Sequence, residues 1–197
     1  MIELPTCPPI RDATPKLIGY FNDQTPTLGG PQTRVSRLGD RWGIEATTFP
    51  AVYAEEGRVY LSRLLRGMTD TVVLPFPERW LPPVNYGAPV ISAAGAAGRN
   101  LPVGGLTPGV EIVEGKFLSV IIGGQRFLYH TTADVTANAS GIAVLPINPI
   151  IRRQPPVGAV VELATPMIEG FVQGNEQSWQ VSWSKRLGFN FRLMEIE

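Results

Sequence analysis

The stretch GKFLSVIIGGQRFLYHTTADVTANASGIAVLPINPIIR, residues 115–152, decides the fold. Three runs of strand character are separated in it by turn signals of different kinds, a pattern that predicts a three-stranded antiparallel meander. The first run, 117–122, is mostly apolar and stops at Gly123-Gly124, a pair able to take the positive φ angles of a two-residue hairpin turn. The second, 126–135, is rich in aromatic and β-branched residues. Side chains alternate along a strand, so Phe127, Tyr129 and Thr131 share one face and Leu128, His130 and Thr132 the other. Asn138, Ser140 and Gly141 mark a second turn. The third run, 142–151, contains Pro146 and Pro149, which cannot donate to a ladder and belong at an edge or a bulge.

Composition extends this reading to the whole chain. Gly and Pro make up 40 of 197 residues, spread along the sequence, which suits many short strands with punctuated turns. Lys plus Arg equals Asp plus Glu at 17 each, leaving no net field to draw in nucleic acid or an anionic membrane. Charged residues are 17% of the chain, against about 25% in a typical soluble domain. So little charge with no net charge makes a poorly soluble monomer, and points to a surface covered in an assembly. The single Cys7 excludes an internal disulfide and any multi-cysteine metal site. No segment has the apolar run of a signal peptide or a membrane-spanning helix, so the protein is expected to be cytoplasmic when made.

Outward from the meander, residues 1–15 contain four prolines and read as an extended arm lying on a neighbouring surface. A short strand at 16–22 and a loop at 23–32 follow. Gly39-Asp40 between 34–38 and 41–49 has the form of a II′ hairpin turn, with Trp42, Ile44 and Ala46 on a core face. Pro50 marks the change to a helix over 51–67, capped by Thr47 or Thr48. Its apolar stripe is Ala54, Leu61, Leu64, Leu65 and Met68. Glu55 and Glu56 at the start and Arg63 and Arg66 at the end suit the helix dipole. Gly57 should weaken the helix by about 1 kcal/mol, and Gly67 should end it in an αL conformation.

A strand at 71–74 leads to a Pro-rich linker at 76–83, and a domain boundary falls near Pro82-Pro83. The small residues 93–98 form a tight turn between strands at 89–92 and 101–103. Runs 159–164 and 167–172 read as another strand pair around Thr165-Pro166. The end of the chain alternates, with Trp179, Val181 and Trp183 on one parity and Phe189, Phe191 and Leu193 on another. A strand this long and aromatic must be paired and covered. Residues 16–80 supply too few strands to close a sandwich, so 177–197 is expected to return and pair with 34–49. The chain then divides into a first domain of 1–82 plus 173–197 and a small barrel of 83–172 inserted in it.

Motifs that carry chemistry are sparse. His130, the single histidine, lies in a strand without an acid or cysteine nearby in sequence and reads as structural. Residues 109–116 resemble a phosphate-binding loop, but the glycines are one residue too far apart and Phe117 stands where Ser or Thr should bind magnesium. Ser182 to Lys185 matches S-x-x-K inside an aromatic strand, whereas that nucleophile needs a helix start. The Asn138-Ala139-Ser140 sequon matters only in a secreted chain. Asp40, Asp134, Glu111 and Glu114 read as solvated turn acids.

Four pieces in order, VSRLGDRW at 35–42, LLRG at 64–67, the 115–152 stretch and SWSKRLGFNFRLMEIE at 182–197, resemble the distal tail proteins of long-tailed bacteriophages and their prophages. The resemblance covers residues 33–197. It implies an all-β protein with one α-helix, in which a ring-forming β-sandwich carries a small barrel of the oligonucleotide-binding type. It further implies a virion protein of the tail tip, in six copies, whose partners are itself, the tail tube protein and the tail hub and tape-measure proteins. The family is structural, with no cofactor, metal or catalytic residues to carry over. Two other classes stand beside it: a carbohydrate-binding module using Trp80, Tyr86, Trp179 or Trp183, and a hydrolase with two distant carboxylates.

Overall fold

A computed structural model describes residues 1–52, 55–78, 82–181, 183 and 185–196. The described chain is all-β with one helix. In chain order it runs through β1 (Ile2–Glu3), β2 (Ile10–Ile18), β3 (Phe21–Gln24), β4 (Thr33–Ser36), β5 (Arg41–Thr48), β6 (Ala51–Val52), the helix α1 (Glu55–Arg66) and β7 (Val72–Pro75). It continues with β8 (Gly87–Ile91), β9 (Asn100–Leu106), β10 (Glu111–Ile112), β11 (Phe117–Ile122), β12 (Gln125–Thr131), β13 (Val135–Thr136), β14 (Ala143–Asn148) and β15 (Val161–Glu162), then β16 (Met167–Val172), β17 (Trp179–Val181) and β18 (Arg186–Glu195).

The first layer is an eight-stranded sheet, ordered β1-β7-β16-β18-β5-β2, with β6 and β17 also paired to β18. β18 is its spine. Leu187, Phe189, Phe191 and Leu193 are buried on one face while Arg186, Asn190 and Arg192 stay exposed, as period-two alternation requires. Leu193 pairs with Ile44 and Phe191 with Ala46, so the end of the chain does return to the early strands. Helix α1 covers this face: Tyr60 stacks on Phe189 at 5.0 Å and meets Phe191 at 6.3 Å.

Residues 87–162 make a separate six-stranded, barrel-like sheet, ordered β15-β11-β12-β14-β9-β8. A Val90 to Val160 bridge and the bond from Ile91 N to Ala159 O, 2.9 Å, bring its ends together. It has one strand more than the five of an oligonucleotide-binding barrel. The meander β11-β12-β14 lies at its centre, and Gly123 and Gly124 turn the first hairpin with φ of 60° and 82°. Phe127 and Tyr129 point into the barrel core. Leu128, from the other face of the same strand, joins the core of the first sheet.

Several expectations are corrected. Residues 1–15 are part of the sheet, because β1 adds in parallel to β7 and β2 pairs along β5. Gly39 does turn the chain, but β4 pairs with β3 and β5 with β2, so the turn joins two sheets and is not a hairpin. The helix does not begin at Ala51: Ala51 and Val52 are held as a strand against Leu187 and Arg186, and the described helix runs from Glu55. That also removes Thr47 and Thr48 as caps, since both lie in β5. The buried stripe is Gly57, Tyr60 and Leu64, with Leu61 partly buried; Leu65 is exposed, and Ala54 lies outside the described residues.

The two helix glycines answer to space. A Cβ on Gly57 would stand 2.7 Å from the Val52 carbonyl oxygen, and one on Gly67 2.5 Å from Val72 Cγ2. Gly67 closes the helix without a positive φ. Runs 159–164 and 167–172 do not pair with each other. β15 belongs to the barrel, while β16 lies between β7 and β18, so the chain leaves the barrel before Met167. Trp179 and Val181 form a hairpin arm against β18 and are exposed, so the terminal segment is two strands and not one.

Candidate functional site

The most elaborate chemistry lies where the barrel meets the sheet. Strands β11 and β12 are buried on both faces, and three carboxylates from outside the barrel accept their backbone N–H groups. Glu78 takes Phe117 N at 2.7 Å, Glu169 takes Arg126 N at 2.9 Å and Glu195 takes Leu128 N at 2.7 Å. Each acid has a second tie. Glu78 pairs with the buried Lys116, Glu169 accepts Thr71 Oγ1 at 3.1 Å, and Glu195 accepts Trp42 N at 2.7 Å and Arg152 Nη2 at 3.0 Å. Burial pushes the Glu195 carboxyl up, opposed by Arg152 and by the N–H groups of Trp42 and Leu128. Around these acids Trp42, Phe76, Phe117 and His130 form one aromatic cluster with centroids 4.4–6.3 Å apart.

The segment 76–78, read as linker, is thus an anchor: Phe76 fills the cluster and Glu78 ties β11. One signal for this junction was in the sequence. Glu195 has the same parity as Leu187, Phe189, Phe191 and Leu193, and an acid on a buried face needs a buried partner. The partner, Arg152, is 43 residues away, and no spacing announces it.

His130 packs edge-on to Trp42 at 5.6 Å. Burial lowers its pKa, opposed by a backbone bond to Asn148 and by the Glu114 charge. The unfolded chain therefore takes up this proton first as pH falls from about 6.5, and the stability is lost as pH passes down through the folded value. With a single histidine the effect is separable. Between about pH 7.5 and 5.5 the thermal midpoint should fall less in His130→Gln than in the unaltered protein; parallel curves would contradict this.

Other candidates are placed apart. The Cys7 thiol donates to Glu56 at 3.0 Å, and that carboxylate raises its pKa, away from nucleophilic use. Lys116, at the end of the loop-like 109–116, turns to Glu78. Asn138 Oδ1 accepts Ser140 N and Ile142 N, both at 2.9 Å, in an Asx turn. Asp40 accepts Tyr20 N and Asp134 accepts Glu114 N, each at 2.6 Å. Ser182, at the start of the S-x-x-K match, lies outside the described residues. Among those described, no three His, Cys, Asp or Glu side chains gather as a metal site requires.

Among the described residues, exposed apolar side chains recur on the barrel strand β14 (Val144), at Val157 and Val160, and in two patches carried by hairpins. One is carried by the β3-β4 hairpin and the turn after it: Phe21, Leu28, Val35 and Leu38. The other surrounds the β17-β18 hairpin, with Phe49, Val52, Val181 and a fully exposed Trp183. The first precedes Arg41 and the second follows Thr48, so they lie at opposite ends of β5, about 25 Å apart at a strand rise of about 3.3 Å per residue. Of the aromatic residues considered for sugar binding, Tyr86 is buried in the barrel core, Trp80 lies outside the described residues, and Trp179 and Trp183 are exposed. Neither a known family's sequence model nor a curated protein matches the chain.

Proposed function

We propose that the chain is a structural component of a bacteriophage tail tip, forming a ring that joins the tail tube to the baseplate hub. The observation that carries this reading is the position of β18 between β5 and β16, which makes the barrel an excursion from the sheet layer, the layout that the resemblance to distal tail proteins implies. Two different apolar patches, beyond opposite ends of β5, suit a head-to-tail contact, which closes into a ring when its rotation allows. The partners are further copies of the chain, the tube protein, and the hub and tape-measure proteins, with no membrane and no base-specific nucleic acid. The protein is made in the host cytoplasm and resides in the virion.

Light scattering of the purified protein, alone and with its tube protein, tests assembly. The expected mass is a closed multiple of 21.4 kDa, most simply six. Trp183→Ser and Leu28→Ser should each lower that mass without moving the thermal midpoint, since both side chains are exposed. A monomer under both conditions overturns the reading.

One observation favours a carbohydrate-binding role as the second reading: Trp179 borders a groove of about 510 Å³ whose mixed walls include the polar Arg11, Thr47, Gln180 and Asn190 beside the apolar Pro50 and Phe189. Glycan-array binding abolished by Trp179→Ala, in a protein that stays monomeric, would decide for it.

A further inference from the structure

We infer, resting on the head-to-tail assembly proposed above, that the tip of the β3-β4 hairpin, residues 24–33, docks in the groove beside Trp179 on a second copy of this chain. Among the described residues β3 and β4 pair only with each other, and no side chain of the hairpin joins either core. A free two-stranded hairpin is marginal at best in water. This one is braced on its own surface: Arg34 Nε and Nη2 donate to the Asp23 carboxylate at 2.6 and 2.8 Å, and the guanidinium carbon lies 4.1 Å from the Phe21 ring centroid. At the tip Leu28 is 99% exposed. Pro26 and Pro31 stiffen the turn around it, which lowers the entropy lost on docking.

The two parts match in chemistry. Residues 24–33, QTPTLGGPQT, carry no charge. In the groove, Trp179 and Pro50 stand beside the hydroxyl and amide groups of Thr47, Gln180 and Asn190, and the charged lining residue, Arg11, is paired with Asp12 at 2.6 Å. An uncharged tip entering a charge-balanced groove buries no unpaired charge, and the centres of protein contacts are charge-poor with Trp among their favoured anchors. On the rim β17 pairs only with β18 among the described strands, which leaves its outer backbone edge open to an added strand. A chain does not fill its own groove, because Leu28 stays exposed and the hairpin precedes Arg41 while the groove lies at the Thr48 end of β5. Each copy offers one tip and one groove, so the contact repeats from copy to copy in one direction.

A double-cysteine chain tests the contact: Leu28→Cys with Gln180→Cys, both at exposed positions, in a Cys7→Ser background, treated with a short bismaleimide alone and with the tube protein. The expected result is a ladder of covalent multimers beyond the dimer, absent when either new cysteine stands alone. Leu28→Cys with Val144→Cys, on the exposed face of the barrel, is the control and should give no ladder. Leu28→Asp should raise the concentration needed for assembly about tenfold or more and leave the thermal midpoint in place. A cross-linked dimer that goes no further would keep the hairpin in the groove, exchanged between two copies, and overturn the ring. An assembly that light scattering shows intact but that gives no ladder would keep the ring and overturn the docking. A chain that stays monomeric under both conditions overturns both.

Discussion

Glu195→Ala is expected to lower the unfolding free energy by about 3–5 kcal/mol, the range for removing one member of a buried ion pair. The cost arises from what the carboxylate leaves behind. Arg152 becomes an uncompensated buried cation, and the N–H groups of Trp42 and Leu128 lose their acceptor together. Glu195→Gln should cost less, since an amide oxygen still accepts one of these bonds. Replacing both partners, Glu195→Leu with Arg152→Met, should recover much of the loss, because an apolar pair of similar volume avoids the desolvation that the ion pair incurs. Urea unfolding gives the free energies. Amide exchange at Leu128 reports whether the barrel has loosened from the sheet. If Glu195→Ala unfolds within about 1 kcal/mol of the unaltered protein, the junction is not held as described.

Gly170→Ala is expected to cost about 3 kcal/mol, the upper end of the overpacking range. A Cβ at this position would fall 1.9 Å from the Met194 carbonyl oxygen and 2.9 Å from Glu195 N, and both are backbone. No side-chain rotation relieves that contact, so β16 has to move away from β18, and three ladder pairs depend on their spacing. Gly188→Ala is the control. It lies on the same strand as Met194, but a Cβ there meets only Gln180 Cβ at 4.0 Å, so the substitution should be neutral or mildly stabilising. Equal effects from the two would show that β16 and β18 are not this closely packed.

Much of this architecture was legible in local pattern, and the misses share a cause. The meander, its glycine turn, the Trp42-Ile44-Ala46 face and the return of the terminal strand follow from alternation and from the need to cover aromatic strands. What local pattern could not supply is which strand accepts which. Residues 10–18 have no clean alternation because β2 is an edge, exposed along most of its length, and only its pairing with β5 makes it a strand. Ala51 and Val52 follow Pro50 as a helix start would, yet their pairing with Leu187 and Arg186 of β18 holds them extended. Alternation put Leu128 on the face opposite Phe127 and Tyr129 but did not say what covers that face; it is buried because the first sheet packs on it. The junction was the least visible part, since Glu78, Lys116, Arg152, Glu169 and Glu195 are far apart in sequence and only the fold brings them together.

Electron cryomicroscopy of the tail particle proposed to carry this protein tests the ring most directly. The expected image has six copies around the tail axis between tube and hub, joined head to tail through the sheet layer, with the barrels on the outside and a lumen wide enough for DNA. A single copy per particle, or copies that touch only through their barrels, would contradict it.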